Sequence, residues 1–435
     1  MMALHSPRPG GNSLWAATAG PAPRLPALDG DAAADVVIIG AGYTGLSAAR
    51  HIAAGGLDPL VLDANAVGWG ASGRNGGFVT PKFRLSLPAI AAAYGRDMAR
   101  RMYELGHEAV DAVENLVEEF GIDSAGFARV GLVKAAHTEK ALAAVAAEAE
   151  WMKAEMGDGH ISLLSRDEVR AELGSDGFAG GALTRGPACI HPLNYARGLA
   201  AGLSAHGIRI HEDSPALAIR REQGAVVVET PRGRVRAGQA IIATNAYSDL
   251  TGATREMQRT LVPFRSAILA TAPLPPDLAA SLLPTRRICS ETRRMMRWFR
   301  IVDGRFVFGG RGAFGKTDSP AAFAALRRAM IALFPMLADI PVEYRWSGLV
   351  AMTLDSVPHV GRRDDRTLFA LGYNGAGVAM ASLMGRYLAA FVRGETPDVG
   401  LLDAKRLAPV PLYSLREPAV RAVAGWYQML DAVGL

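Results

Sequence analysis

Three glycines and one acid carry the first chemistry in this sequence. Gly40, Gly42 and Gly45 stand in G-x-G-x-x-G spacing directly behind the apolar run 36–39, and Asp63 closes a second apolar run, 59–62. Glycine at the first position permits a tight turn. At the second it lets main chain approach a pyrophosphate, and at the third it lets a helix lie close on a strand. Amides at the start of that helix have no partner within it, and its dipole presents a positive end, so phosphate oxygens suit it. A carboxylate at the tip of the next strand accepts hydrogen bonds from ribose hydroxyls. This chemistry needs the glycines between a buried strand and a helix, and a helical pattern does run over 44–54. Strand, turn, helix, strand and acid fall in the order of a dinucleotide-binding βαβ unit.

A second strand–helix junction of this kind lies near the other end. The apolar strand 368–371 runs into Gly372, Gly375 and Gly377, then into an apolar helix of about four turns. The loop 66–79 carries Gly68, Gly70, Gly73, Gly76 and Gly77, a density that implies main chain passing close to something bulky or charged. Helical periodicity covers 88–121, 139–156, 167–173 and 321–337. Strands are expected over 130–135, 260–271 and 302–310, with Trp298, Phe299 and Arg300 preceding the last. Short alternating runs form a meander over 208–244 that ends in a buried strand, 240–243, and residues 18–31 read as an extended arm.

The 435 residues exceed one ordinary core, so two domains are expected. Half the residues are apolar and a fifth charged, as in folded soluble chains. Of 47 basic residues six are Lys and 41 therefore Arg, scattered along the chain. The densest group is Arg293, Arg294, Arg297 and Arg300, with no sustained basic stripe, so nucleic acid is not the expected partner. Cys189 and Cys289 lie 100 residues apart without metal-ligand spacing, which suits a reducing cytoplasm and gives no metal site. Neither a signal-peptide core nor a membrane-spanning stretch is visible.

The stretches ADVVIIGAGYTGLSAARHIA, GWGASGRNGGFV, CIHPLNYARGLA, AIIATNAYS, FVFGGRG, WSGLVAMTLDSVPHVGR and GYNGAGVAMASLMGR resemble, in order and spacing, the FAD-dependent D-amino acid oxidase superfamily. That superfamily includes glycine and sarcosine oxidases, D-amino acid dehydrogenases and γ-glutamylputrescine oxidases. The GWGASGRNGG loop and the SLWAATAGPAP arm are most similar to the γ-glutamylputrescine oxidase-type branch. The resemblance implies an α/β chain, α+β overall, in which a Rossmann-like FAD-binding domain interleaves with an antiparallel-sheet substrate domain. The FAD-binding parts would be 1–85 with the N-terminal arm, 186–252, and 346–435 with the C-terminal tail; the substrate parts would be 86–185 and 253–345.

The resemblance also assigns residues. Gly40, Gly42, Tyr43, Thr44, Gly45, Asp63 and Ala64 would hold the ADP half of the cofactor. Gly70, Ala71, Ser72, Arg74, Asn75, Gly76 and Gly77 would line pyrophosphate, ribityl chain and ring. Ala216 would meet adenine through its main chain, with Thr244 in the same set, and Gly348, Gly375, Ala376, Gly377 and Val378 would face the pyrimidine end. Many relatives have His where Ala376 stands. The loop 68–77 has no His and Cys289 lies outside the flavin-facing segments, so FAD is expected to bind non-covalently. Trp298, Arg300 and Tyr373 are the expected catalytic or substrate-contacting residues. Arg300 would grip a carboxylate in a bidentate fork, or else is a surface Arg on an edge strand. His191, beside Pro192, is expected to support a turn.

The implied activity is oxidation of the C–N bond of a primary or secondary amine or amino acid. Hydride transfer to flavin N5 would give an imine, which water hydrolyses. Electrons would pass to oxygen or a respiratory acceptor, since one dinucleotide fingerprint leaves no evident site for NADPH. A flavin-binding electron-transfer or assembly protein without amine turnover needs the same glycines, and an NAD-dependent dehydrogenase is a third reading. The apolar stripe 420–430 leaves a homo-oligomer or another docking surface open.

Overall fold

The computed structural model describes residues 12–313, 319–404 and 407–432. Two eight-stranded sheets organise them. At the centre of the first lies Ala32–Ile39, parallel to Pro59–Leu62 on one side and to Gly233–Ile242 on the other. Arg209–His211 extends the sheet beyond Pro59–Leu62, and Thr367–Leu371 adds in parallel beyond Gly233–Ile242. Strand faces buried on both sides, such as Val36 to Ile39 and the whole of Thr367–Leu371, explain the uninterrupted apolar runs. An antiparallel hairpin, Ala218–Glu222 and Ala225–Thr230, leans off Gly233–Ile242. Gln223 and Gly224 at its tip both have positive φ, the pair of left-handed residues a two-residue hairpin turn requires.

The second sheet runs Val342–Met352, Val262–Pro273, Arg305–Ala313, Arg297–Val302, Ile288–Glu291, Leu132–Ala136, Gly180–Thr184, Ile161–Leu164. All its pairings are antiparallel except Ile288–Glu291 with Leu132–Ala136. Its outer face buries Phe299, Phe306, Phe308 and Phe334 in one aromatic core. On its inner face Ile268, Ala270, Val307 and Trp346 pack on Leu14, Trp15 and Leu193.

Two expectations are corrected, and two further features stand beside them. Trp298, Phe299 and Arg300 do not precede a strand; they lie within Arg297–Val302, which turns through Asp303 and Gly304 into Arg305–Ala313. The alternation of side chains therefore sends Phe299 to the outer core and Trp298 and Arg300 inward. The helical stretch 88–121 is two helices, Leu87–Tyr94 and Arg96–Glu119, because Gly95 sits at φ 91° between them. The second packs in the core formed by Tyr43–Ala54 and Gly377–Val392, on the side of the first sheet. A short helix, Leu14–Thr18, precedes the extended arm, capped by the Ser13 side chain. Val342–Met352 is one unbroken strand that pairs with Val262–Pro273 in the second sheet.

Candidate functional site

Both glycine-rich junctions open at the same place because their helices touch main chain to main chain. A Cβ on Gly385 would lie 2.5 Å from Ser47 Cβ and 2.6 Å from Ala48 N, so only glycine lets Gly377–Val392 cross Tyr43–Ala54 this closely. The Ser47 hydroxyl donates to Ser382 O at 2.6 Å across that crossing. At the helix starts, Thr44 Oγ1 and Tyr373 OH are 2.5 Å apart. On the strand side Gly40 turns at φ 108°, and a Cβ on Gly45 would stand 1.9 Å from Gly40 O. The helix is thus seated directly on the turn, as the third glycine of the motif requires.

Neither helix is capped by its own N-cap residue, Gly42 or Ala376, and only Tyr43 N among the first-turn amides meets a side chain, Ser72 Oγ. Elsewhere Ser86, Thr138, Ser165, His191 and Ser319 accept from the first-turn amides of their helices. The two bare N-termini face one cleft with about 1270 Å³ of empty space, part of it open to solvent. Free amides, two dipole ends and room for an extended ligand together fit a pyrophosphate-bearing dinucleotide.

Asp63 sits at the cleft with one main-chain donor on each oxygen, Ala41 N at 2.7 Å on Oδ2 and Asn65 N at 2.8 Å on Oδ1. Each oxygen keeps a lone pair for a hydroxyl. Loss of solvent pushes its carboxyl up to about 6, against two amide hydrogen bonds that pull the other way. The loop 64–77 closes one side. Ser72 Oγ accepts from Tyr43 N at 3.2 Å, and Tyr43 OH donates to Ser72 O at 2.5 Å. Asn75 Nδ2 reaches Ala71 O and Ser72 O at 3.1 and 3.2 Å. Trp69 lines the same space and its buried Nε1 has no partner. Among the lining residues there is no Lys, Arg, His or Cys, so the cradle's positive charge is entirely main chain.

Of the residues expected at the cofactor, Gly40, Gly42, Tyr43, Thr44, Asp63, Ala64, Gly70, Ala71, Ser72, Asn75, Ala216, Thr244, Gly375, Gly377 and Val378 line the cleft, with Tyr373 beside them. Others stand behind it. Gly45 is the helix–strand contact, and Ala376 closes the turn by donating its amide to Tyr373 O at 2.9 Å. Arg74 Nε donates to Trp69 O at 2.7 Å, and Gly348 packs on the Arg74 Cβ. Gly76 packs on the Trp298 ring and Gly77 on Ile190 O. Sequence reasoning passed over Asn65, Trp69, Asn245, Tyr247 and residues 349–351, which also line the cleft. Trp69 and Tyr247 stand edge to face at 5.5 Å, and both were visible as aromatics inside the glycine loop and the AIIATNAYS stretch.

Trp298 and Arg300 are not in the cleft lining. Arg300 is 4% exposed, and its terminal nitrogens donate to Gly77 O at 3.1 Å and Ile190 O at 3.0 Å. Burial lowers its pKa. His191 caps the helix Pro192–Ala205 through Nδ1 and meets Thr18 Oγ1 through Nε2 at 3.0 Å. Burial, then the nearby Arg300 charge, hold it neutral, its pKa down at about 4. Asn374, at φ 53°, shapes the turn by donating to Gly372 O at 2.6 Å and accepting from Thr353 N at 3.0 Å.

The description "FAD dependent oxidoreductase" (DAO) belongs to the family model that matches residues 35–391. The chain is 32% identical to gamma-glutamylputrescine oxidoreductase of Escherichia coli K12 over 98% of its own length and 99% of that protein's. The chain belongs to the FAD dependent oxidoreductase family. Its fold is similar to that of glycine oxidase from Geobacillus kaustophilus, TM-score 0.71 at 21% identity, covering 87% of this chain and all of that one. L-amino acid deaminase from Proteus myxofaciens aligns with TM-score 0.72 at 17% identity over 89% of this chain and 96% of that one. The cofactor of this oxidoreductase is accordingly FAD, and the cleft fits it: bare helix ends for the pyrophosphate, Asp63 for ribose, and the orphaned Trp69 Nε1 as a donor in the lining. Among the described residues no helix is long and apolar enough to cross a membrane.

Proposed function

We propose that this oxidoreductase oxidises the C–N bond of a primary or secondary amine or amino acid to an imine, which water then hydrolyses. The supporting observation is the composition of the cleft wall. With no Lys, His or Cys in it, the wall offers no amine for a Schiff base and no imidazole or thiolate for covalent chemistry, so its polar groups are hydroxyls, amides and the Asp63 carboxylate. When bound, FAD supplies an acceptor for the two electrons and the hydrogen that leave the substrate carbon. The chain's own residues bind and orient. First-turn amides after Gly42 would hold the pyrophosphate, and Asp63 the ribose hydroxyls. The helix Gly377–Val392 turns its positive dipole end to the cleft, which favours added negative charge there. Leu349, Val350 and Ala351 keep that wall dry. A wall poor in carboxylates also favours a neutral amine over an ammonium.

The same lining supports non-covalent FAD, because it offers no Cys or His for attachment. We also propose two interleaved domains, one around each sheet, and a cytoplasmic location suited to the unpaired Cys189 and Cys289. Oxygen or a respiratory carrier takes the electrons. The test is anaerobic mixing of the FAD-loaded protein with a panel of amines and amino acids, gamma-glutamylputrescine among them, while flavin absorbance is followed. Bleaching by an amine supports the reading, and a flavin that no member of the panel bleaches overturns it. Peroxide formed in air then assigns oxygen as the acceptor.

A further inference from the structure

The main chain of residues 74–77 is held from beneath by side chains that never reach the cleft. Trp346 Nε1 donates to Arg74 O at 3.0 Å, and Trp15 Nε1 donates to Asn75 O at 2.8 Å. Gly76 lies on the Trp298 ring, where a Cβ would come within 2.6 Å of it. Gly77 O accepts from Arg300. Trp15 and Trp346 are at most 1% exposed and meet edge to face at 5.9 Å, and the Arg300 guanidinium lies 5.2 Å over the Trp15 ring. The second carbonyl held by Arg300, Ile190 O, belongs to the chain that pairs with Gly77's own continuation, Phe78 opposite Cys189. One planar fork therefore ties the end of a two-stranded ribbon to the second sheet. Among the described residues no carboxylate forms an ion pair with Arg300, and its Nε is buried without a partner.

We propose that Arg300 is a positioning residue for the cofactor, not a ligand for a substrate carboxylate: with Trp15 and Trp346 it sets the main chain of residues 74–77 that borders the cleft. A carboxylate ligand needs a guanidinium fork that opens on the cleft, and here Arg300 is 4% exposed, absent from the cleft lining, and spans two carbonyls with its terminal nitrogens. The planar fork matters as much as the charge. A lysine ammonium keeps the charge but lacks the rigid spacing that spans two fixed carbonyls. The inference rests on the proposed function only through the identity of the cofactor.

The test compares the full-length protein with Arg300→Lys, Arg300→Met and Trp15→Phe. FAD affinity of the apoprotein and visible circular dichroism of the bound flavin are read first, without any amine. Then kcat and KM are measured for one amine that bears a carboxylate and one that does not. Both Arg300 variants should weaken FAD binding by about ten-fold or more and alter the flavin dichroism. They should lower kcat for the two amines by the same factor, leaving the ratio of their KM values unchanged. Trp15→Phe, which loses only the bond to Asn75 O, should show the same signature at about three- to ten-fold. Unchanged affinity and dichroism, with a KM rise confined to the carboxylate-bearing amine, overturns the proposal. So does a Trp15→Phe protein that binds FAD as the wild type does. If Arg300→Met does not fold, Arg300→Lys and Trp15→Phe decide. If no amine is turned over, the amine-free readings still decide this inference and only the activity reading fails.

Discussion

The glycine junctions and the inner wall of the second sheet meet at one cleft, yet they are built on opposite principles. At the junctions side chains have been removed, so that main-chain amides of two helices stand bare toward a ligand. In the wall side chains take up the space: the Trp298 ring lies where Gly76 and Gly309 lack a Cβ. The first region recognises by exposing backbone and the second places by packing. Damage to the first should therefore appear as lost affinity alone, and damage to the second as a misplaced cofactor, its dichroism altered, that binds more weakly but is still retained.

The largest effect is expected at the seat of the first helix. In Gly45→Ala the new methyl would stand 1.9 Å from Gly40 O, a main-chain atom that can yield only by moving strand or helix. A loss of about 3 kcal/mol or more is expected, with FAD no longer retained on gel filtration. Wild-type thermal stability in this variant would break the comparison at its root. In the wall, Gly309→Ala places a methyl 2.0 Å from the Trp298 ring, which is a side chain and can tilt. A cost of about 1–3 kcal/mol is expected, with FAD bound but its visible dichroism changed. Loss of FAD from this variant would erase the distinction between the regions.

The same contrast explains what could be read from sequence. A region that works by lacking side chains leaves a compositional mark, so Gly40, Gly42, Gly45, Gly375 and Gly377 stood out, and Asp63 followed from spacing. The parallel strands were equally legible as unbroken apolar runs. A region that works by packing leaves no such mark, because its partners are far apart: Trp15 meets Trp346, and Arg300 meets Gly77 and Ile190. Nothing local in RRMMRWFRIV says whether Arg300 faces substrate or two carbonyls. Its strand was missed because charged and aromatic residues in succession lack plain alternation, and only pairing with Arg305–Ala313 fixes which face each takes. Residues 349–351 reach the cleft by tertiary approach alone.

Asp63 allows the affinity side of the comparison to be titrated. Its carboxyl is pushed from 3.8 up to about 6 by burial. In the cofactor-free protein the folded state holds this proton more tightly than the unfolded chain. The group therefore favours folding at low pH, and that contribution declines as pH rises from about 4 to about 6. Ribose hydroxyls need the ionised acceptor, so FAD affinity should run the other way and fall as pH drops through about 6. Asp63→Asn should bind FAD about ten-fold more weakly at neutral pH and lose this pH dependence. Because no Lys or Arg lines the cleft among the described residues, raising ionic strength should leave wild-type affinity nearly unchanged. A steep salt dependence would mean that a side-chain cation reaches the phosphates after all.

The smallest effect is expected where the two junctions touch each other. Thr44 and Tyr373 are 4% and 7% exposed, and their hydroxyls are 2.5 Å apart, one at the start of each helix. Burial raises the Tyr373 phenol well above its ordinary value, so it stays a neutral hydroxyl at any working pH. In that state its contact with Thr44 joins the two elements. Tyr373→Phe leaves the Thr44 hydroxyl buried without its partner, and about 1 kcal/mol of stability should be lost. Thr44→Val with Tyr373→Phe removes both hydroxyls, and most of that loss should return, because no orphan remains. Turnover of any amine the protein oxidises should fall less than ten-fold in Tyr373→Phe. A far larger fall in kcat at unchanged stability would make Tyr373 a catalytic group, and the contact between the junctions would then belong to the reaction as well as to the fold.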